Sequence, residues 1–121
     1  MTNTPVEKAF TIDTSSIKFG PGITSEAGFE LNRLGANRVM VVTDRQMADS
    51  HAVKSATESL RRQGIDHTVF DQVSVEPTDD SLKQAIRFAT AGKFDGFLAV
   101  GGGSSIDTAK AANLYSTYPA D

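Results

Sequence analysis

Residues 97–110 run Phe97-Leu98-Ala99-Val100, then Gly101-Gly102-Gly103-Ser104-Ser105, then Ile106-Asp107-Thr108-Ala109-Lys110, and an alanine-rich stretch continues to about Ser116. The apolar run has the length of a buried strand, and the alanine-rich stretch reads as a helix. Three glycines between a strand and a helix constrain the chain more than any other feature here. Without Cβ atoms the backbone can approach a guest closely and can adopt positive φ in the turn. The first helical turn then offers unpaired N–H donors and the positive end of the helix dipole. A phosphate or pyrophosphate fits such a place. The competing use is a plain chain reversal in which Ser104 and Asp107 cap the helix. The spacing is neither G-x-G-x-x-G nor G-x-x-x-x-G-K-[ST], so neither label applies.

Upstream, apolar runs and helical patterns alternate. Residues 1–8 are polar and are expected to fray. Ala9 to Phe19 reads as one or two short strands and an edge-strand candidate, broken by Gly20-Pro21-Gly22. Ile23, Ala27, Leu31 and Leu34 recur at helical spacing, with Gly35 at the C-cap. Val39-Met40-Val41-Val42 predicts a strand buried on both faces. A second helix turns Val53, Ala56 and Leu60 inward, ends in Arg61-Arg62 and closes at Gly64. Thr68-Val69-Phe70 predicts a strand. Pro77-Thr78 opens a third helix with Leu82, Ala85, Ile86 and Ala89 on one face and Gly92 behind it. This alternation predicts an α/β fold: a Rossmann-like parallel sheet with helices on both faces and right-handed crossovers. The whole chain, 1–121, is expected to be one domain.

Composition excludes several classes of function. A chain of 121 residues holds one domain with a real core. Its net charge of −3 argues against nucleic acid or an anionic membrane surface as partner. There is no cysteine, hence no disulfide or thiolate chemistry. No apolar run approaches the roughly 20 residues of a membrane span. The amino-terminal MTNTPVEKAF has neither an apolar core nor an arginine-rich transit pattern, which predicts a cytoplasmic location.

In an open parallel sheet, ligands bind beyond the carboxyl ends of the strands. Thr43-Asp44, Val75-Glu76-Pro77-Thr78 and the glycine turn all fall there. Asp44 is placed to accept hydrogen bonds from a ribose and to repel a 2′-phosphate, favouring NAD over NADP. It equally suits a turn residue after a strand. Gly102, Gly103 and Ser104 are expected to hold the pyrophosphate through backbone N–H groups and one hydroxyl. Asp107, one turn into the helix, would oppose a phosphate and is not expected to touch it. Lys110 lies a turn further on and reads as solvated. Glu76 and Thr78 are placed to flank the adenosine, though Thr78 also reads as a plain N-cap. His51 and His67 are too few for a metal site and read as surface residues. Asp79-Asp80 is explained by the helix dipole. Nothing pairs a nucleophile with a base, so no catalytic residue is assigned.

The segment GGGSSIDTAKAANLY resembles the GGGS-x-x-D-x-x-K signature of the iron-containing (group III) alcohol dehydrogenases. Val41-Val42-Thr43-Asp44 and Val75-Glu76-Pro77-Thr78 are similar to that family in order and separation. The resemblance spans about residues 9 to 118. Within the family, VEPTDDS and DTAKAANLY look most like the hydroxyacid–oxoacid transhydrogenase branch. The resemblance implies an NAD-binding domain of an oxidoreductase that moves hydride between a hydroxyl carbon and nicotinamide. It also implies an Fe²⁺ or other divalent metal that polarises the substrate oxygen. The family's ligands for that metal, an Asp and three His, lie downstream of the matched segment and outside this chain. The chain then reads as an amino-terminal fragment or isolated domain, inactive alone, lacking the family's helical metal-binding domain. Further implications are a small alcohol or hydroxyacid/oxoacid substrate, a homo-oligomeric full-length protein, and Asp107 reaching the nicotinamide end of the cofactor. Glycerol dehydrogenase and dehydroquinate synthase share a comparable glycine turn and are the enzymatic alternatives. A nucleotide-binding module without chemistry is the alternative of another class.

Overall fold

The computed structural model describes residues 26–74 and 78–117. The strand expected within Ala9–Phe19 and the break at Gly20-Pro21-Gly22 lie outside them, as do Ile23 and Val75-Glu76-Pro77. The described order is α1 (Ala27–Arg33), β1 (Arg38–Val42), α2 (His51–Arg62), β2 (Asp66–Phe70), α3 (Asp79–Gly92), β3 (Gly96–Ala99) and α4 (Gly103–Thr117). The three strands form a parallel sheet in the order β2-β1-β3.

β1 is central, and its sequence shows why. Val39, Met40, Val41 and Val42 are all fully buried, because both faces of the sheet are covered. Val39 and Val41 face Leu31 of α1 and Val53, Ala56 and Leu60 of α2. Met40 and Val42 face Ala85 and Ala89 of α3 and Ala109 and Ala112 of α4. A continuous apolar run thus divides by parity between two cores.

The helices follow their local signals. Ser50 caps α2, its hydroxyl accepting from Val53 N at 3.2 Å. Gly35 and Gly64 end α1 and α2 at positive φ, as expected, with Ala36 N donating to Leu31 O and Ile65 N to Leu60 O. Gly92 behaves differently. It is the last residue of α3, and Lys93 takes the left-handed cap at φ 54°. A Cβ on Gly92 would fall 2.2 Å from the Phe94 ring, so this glycine makes room for packing. β2 begins at Asp66, two residues before the apolar triplet, because Asp66 and His67 pair with Arg38 and Val39 of β1.

At the amino ends of the strands the molecule is cross-braced. The Asp95 carboxylate accepts from Asn37 N and Arg38 N at 2.9–3.0 Å. The Arg38 side chain pairs with Asp66 and lies over the Phe94 ring at 5.1 Å. The carboxyl ends are where the topology reverses. From β1 the chain crosses by α2 to β2, then by α3, on the other face, back past β1 to β3. β1 and β3 therefore send their following segments to opposite faces, and a crevice opens between their carboxyl ends.

Candidate functional site

The crevice is fixed from below by Thr43. This fully buried residue donates from Oγ1 to Val100 O at 2.7 Å and from N to Phe70 O at 2.9 Å. It ties the ends of all three strands together just before the chain diverges. Asp44 follows, half-buried. Its Oδ1 accepts from Met47 N at 2.8 Å and its carbonyl from Ala48 N at 3.0 Å, so Asp44 does shape a turn. Only one carboxylate oxygen is used there. The other, Oδ2, lies 4.0 Å from where a Cβ on Gly101 would stand, and so faces the glycine turn.

The three glycines are not equivalent. Gly101 has φ 143°, and a Cβ on it would meet Ser105 Oγ at 2.9 Å. Both backbone conformation and packing require a glycine at 101. Gly102 and Gly103 do not have positive φ, and a Cβ on either would meet nothing within 4 Å. Neither backbone conformation nor packing within the described chain explains them. Gly102 O accepts from Ser105 N and Ile106 N at 3.1 and 3.2 Å, which makes Gly102 the N-cap and Gly103 the first residue of α4. A glycine at Gly103 costs helix stability relative to alanine, by about 0.5–1 kcal/mol in a helix interior. The first turn of α4 holds no acidic residue, so its positive dipole end is not offset by the helix's own side chains.

Ser104, half-buried, stands in that first turn, and Asp107 stands one turn in, exposed, as does Lys110 beyond it. The structure therefore brings Asp44 and the glycine turn together at one crevice. Thr78 is committed elsewhere: it caps α3 through a closed capping box with Ser81, at 3.1 and 2.9 Å. His51 is exposed at the start of α2, and His67 is half-buried in β2.

Sequence reasoning missed two features. One is a shallow groove of about 300 Å³ beside the crevice, lined by Asp44, Arg45, Gln46, Asp71, Gln72 and Val73. The signal was available, since Asp71 and Gln72 follow β2 as Thr43 and Asp44 follow β1. The other is Ser105, 1% exposed beneath Gly101, whose position depends on the turn's own geometry.

The family model for iron-containing alcohol dehydrogenase matches residues 14–121, nearly the whole chain. The chain belongs to the iron-containing alcohol dehydrogenase family. The mitochondrial hydroxyacid-oxoacid transhydrogenase of Bos taurus is 50% identical over 111 residues, covering 92% of this chain and 24% of that protein. Among solved structures, a 1,3-propanediol oxidoreductase superposes with TM-score 0.78 at 30% identity, over 87% of this chain and 28% of that one. An alcohol dehydrogenase from Oenococcus oeni gives 0.76 at 31% identity, over 88% and 28%. The chain thus spans about a quarter of the length of the relatives it matches.

Membership in the iron-containing alcohol dehydrogenase family fits the α/β sheet and its helices on both faces. Among the described residues no three His, Cys, Asp or Glu side chains gather where they could hold a metal. The expected cytoplasmic location is overturned. Similar transhydrogenases from cattle, humans and Caenorhabditis elegans are named as mitochondrial. An import signal is a processed segment separate from the folded domain, so the pattern of MTNTPVEKAF does not report the compartment.

Proposed function

We propose that this chain is the NAD-binding part of an iron-dependent oxidoreductase that moves hydride between a hydroxyl carbon and nicotinamide. The observation that carries this reading is the pair Gly102 and Gly103. Both are bare of side chains for no reason internal to the described fold, and both lie at the amino end of a 15-residue helix at the sheet's switch point. In this reading the backbone N–H groups of Gly102, Gly103 and Ser104, with the Ser104 hydroxyl, hold the pyrophosphate. Asp44 keeps Oδ1 on Met47 N and offers Oδ2 to the adenosine ribose. The groove beside Asp44 has room for the adenosine, with Asp71 and Gln72 on its far wall. Asp107, exposed one turn along α4, lies toward the nicotinamide end of the cofactor. Bound NAD supplies the hydride acceptor.

This chain's residues bind and orient the nucleotide, and the groups that hold metal and substrate belong to other parts of the protein. A hydroxyacid/oxoacid pair as substrate, a mitochondrial setting and a homo-oligomeric assembly complete the proposal. The first two rest on the 50% identity to the transhydrogenase, the third on family resemblance.

The test is a set of dissociation constants for NAD and NADP in the full natural polypeptide. Wild type should prefer NAD, because a 2′-phosphate would meet the Asp44 charge. Asp44→Asn should narrow that preference with only a modest loss of NAD affinity. Asp44→Ala should weaken NAD binding by about 1.5–3 kcal/mol, the scale of charge-assisted hydrogen bonds. An unchanged NAD/NADP ratio in both variants would leave Asp44 a turn residue only. Hydride transfer to a 2-oxoacid by that polypeptide would exclude a nucleotide-binding module without chemistry.

A further inference from the structure

Ser105 is 1% exposed, and among the described residues its Oγ is a buried side-chain polar atom with no hydrogen-bond partner. Buried hydroxyls normally find partners, and one left without costs stability. Other buried hydroxyls do find them: Thr43 Oγ1 donates to Val100 O, and Ser59 Oγ accepts from Gly28 N. Ser105 Oγ points back along α4 to its amino end, 2.9 Å from the place a Cβ on Gly101 would occupy. It therefore sits directly beneath the turn that carries the Gly102 and Gly103 amides. Ser105 is the third residue of α4, as Ser81 is of α3. Ser81 Oγ accepts from the amide of its N-cap residue, Thr78, at 2.9 Å. Ser105 holds the same station under a glycine N-cap without making that bond.

We infer that Ser105 is a positioning residue for the pyrophosphate, its hydroxyl donating to the Gly101 carbonyl oxygen as the turn settles onto the anion, so that the Gly102 N–H on the other side of that peptide faces the anion. This rests on the reading that the glycine turn holds the pyrophosphate. The turn lies against Ser105 by contact alone, so forming the bond draws the two amides into one fixed orientation. Gly101, at φ 143°, is the residue able to absorb that change. A hydrogen bond left unmade in the fold is thereby made on binding, and the hydroxyl adds to affinity rather than to stability.

The experiment compares wild type, Ser105→Ala and Ser105→Cys in the full natural polypeptide. Inorganic pyrophosphate and NAD are the probes, and unfolding is followed without either. Cysteine keeps the shape and bonds weakly, so it separates the hydroxyl from its packing. Both variants should bind both probes about tenfold more weakly and show a KM for NAD raised by a similar factor, with unfolding midpoints equal to or above wild type. Equal affinity in all three proteins would overturn the inference while leaving the glycine site standing. Loss in Ser105→Ala but not in Ser105→Cys, or a lowered midpoint in both, would make Ser105 a packing residue and overturn it as well. Failure of wild type to bind either probe would overturn the glycine site and the inference together.

Discussion

Of the three helices that begin at the carboxyl end of the sheet, α3 and α4 begin in opposite ways. α3, after β2, is sealed by its own side chains. Thr78 and Ser81 satisfy each other's backbone amides, and Asp79 and Asp80 set negative charge on the dipole's positive end. α4, after β3, has a glycine cap, a glycine first residue and no acid in its first turn. Capping a helix start with a side chain contributes about 1 kcal/mol. Going without such a cap and keeping Gly103 both lower the stability of α4. The comparison teaches that a helix terminus adapted to the fold uses its own side chains, whereas one adapted to a ligand leaves its amides and dipole to be satisfied from outside.

The largest expected effect comes from closing the open terminus. Gly103→Val has room in the fold, since its Cβ meets nothing within 4 Å and its φ is not positive. It should leave the unfolding transition nearly in place and weaken NAD binding by about 2 kcal/mol or more, the scale of lost charge-assisted hydrogen bonds. Isothermal titration of both proteins checks this. Equal affinity with an intact fold would mean that Gly103 serves no ligand, and the contrast between the two helices would lose its meaning. A smaller and opposite effect belongs to the sealed terminus. Thr78→Ala should lower stability by about 1 kcal/mol in denaturant unfolding and leave the NAD dissociation constant unchanged. A loss of NAD affinity in Thr78→Ala would place both helix starts at the ligand.

How much of this was legible in the sequence follows the reach of each signal. Local periodicity located all three described strands and all four described helices, and Gly35 and Gly64 marked two ends correctly. These depend only on neighbours in the chain. Gly92 misled because the decisive partner is the Phe94 ring, and a glycine kept for space looks the same in sequence as one kept for φ. The start of β2 at Asp66 depended on pairing with β1, 28 residues away, which no window of a dozen residues contains. At the site, the sequence marked Asp44, Gly102, Gly103, Ser104 and Asp107, and the structure sets Asp44 Oδ2 toward the glycine turn. The sequence could not divide the three glycines into one required by the fold and two that are not. That division needs φ values and the space above each Cα. Nor could it show Ser105 without a partner, since a partner is absent only in three dimensions.

The central claim is that the amino end of α4 takes an anion and that of α3 does not. The most direct test is a pyrophosphate titration of the ¹⁵N-labelled natural polypeptide, following backbone amide shifts at both helix starts. The amides of Gly102, Gly103 and Ser104 should move together and saturate with one dissociation constant, while those of Asp79, Asp80 and Ser81 stay in place. Saturating shifts at α3 with none at Gly102 and Gly103, or shifts of equal size at both helices, would contradict the account.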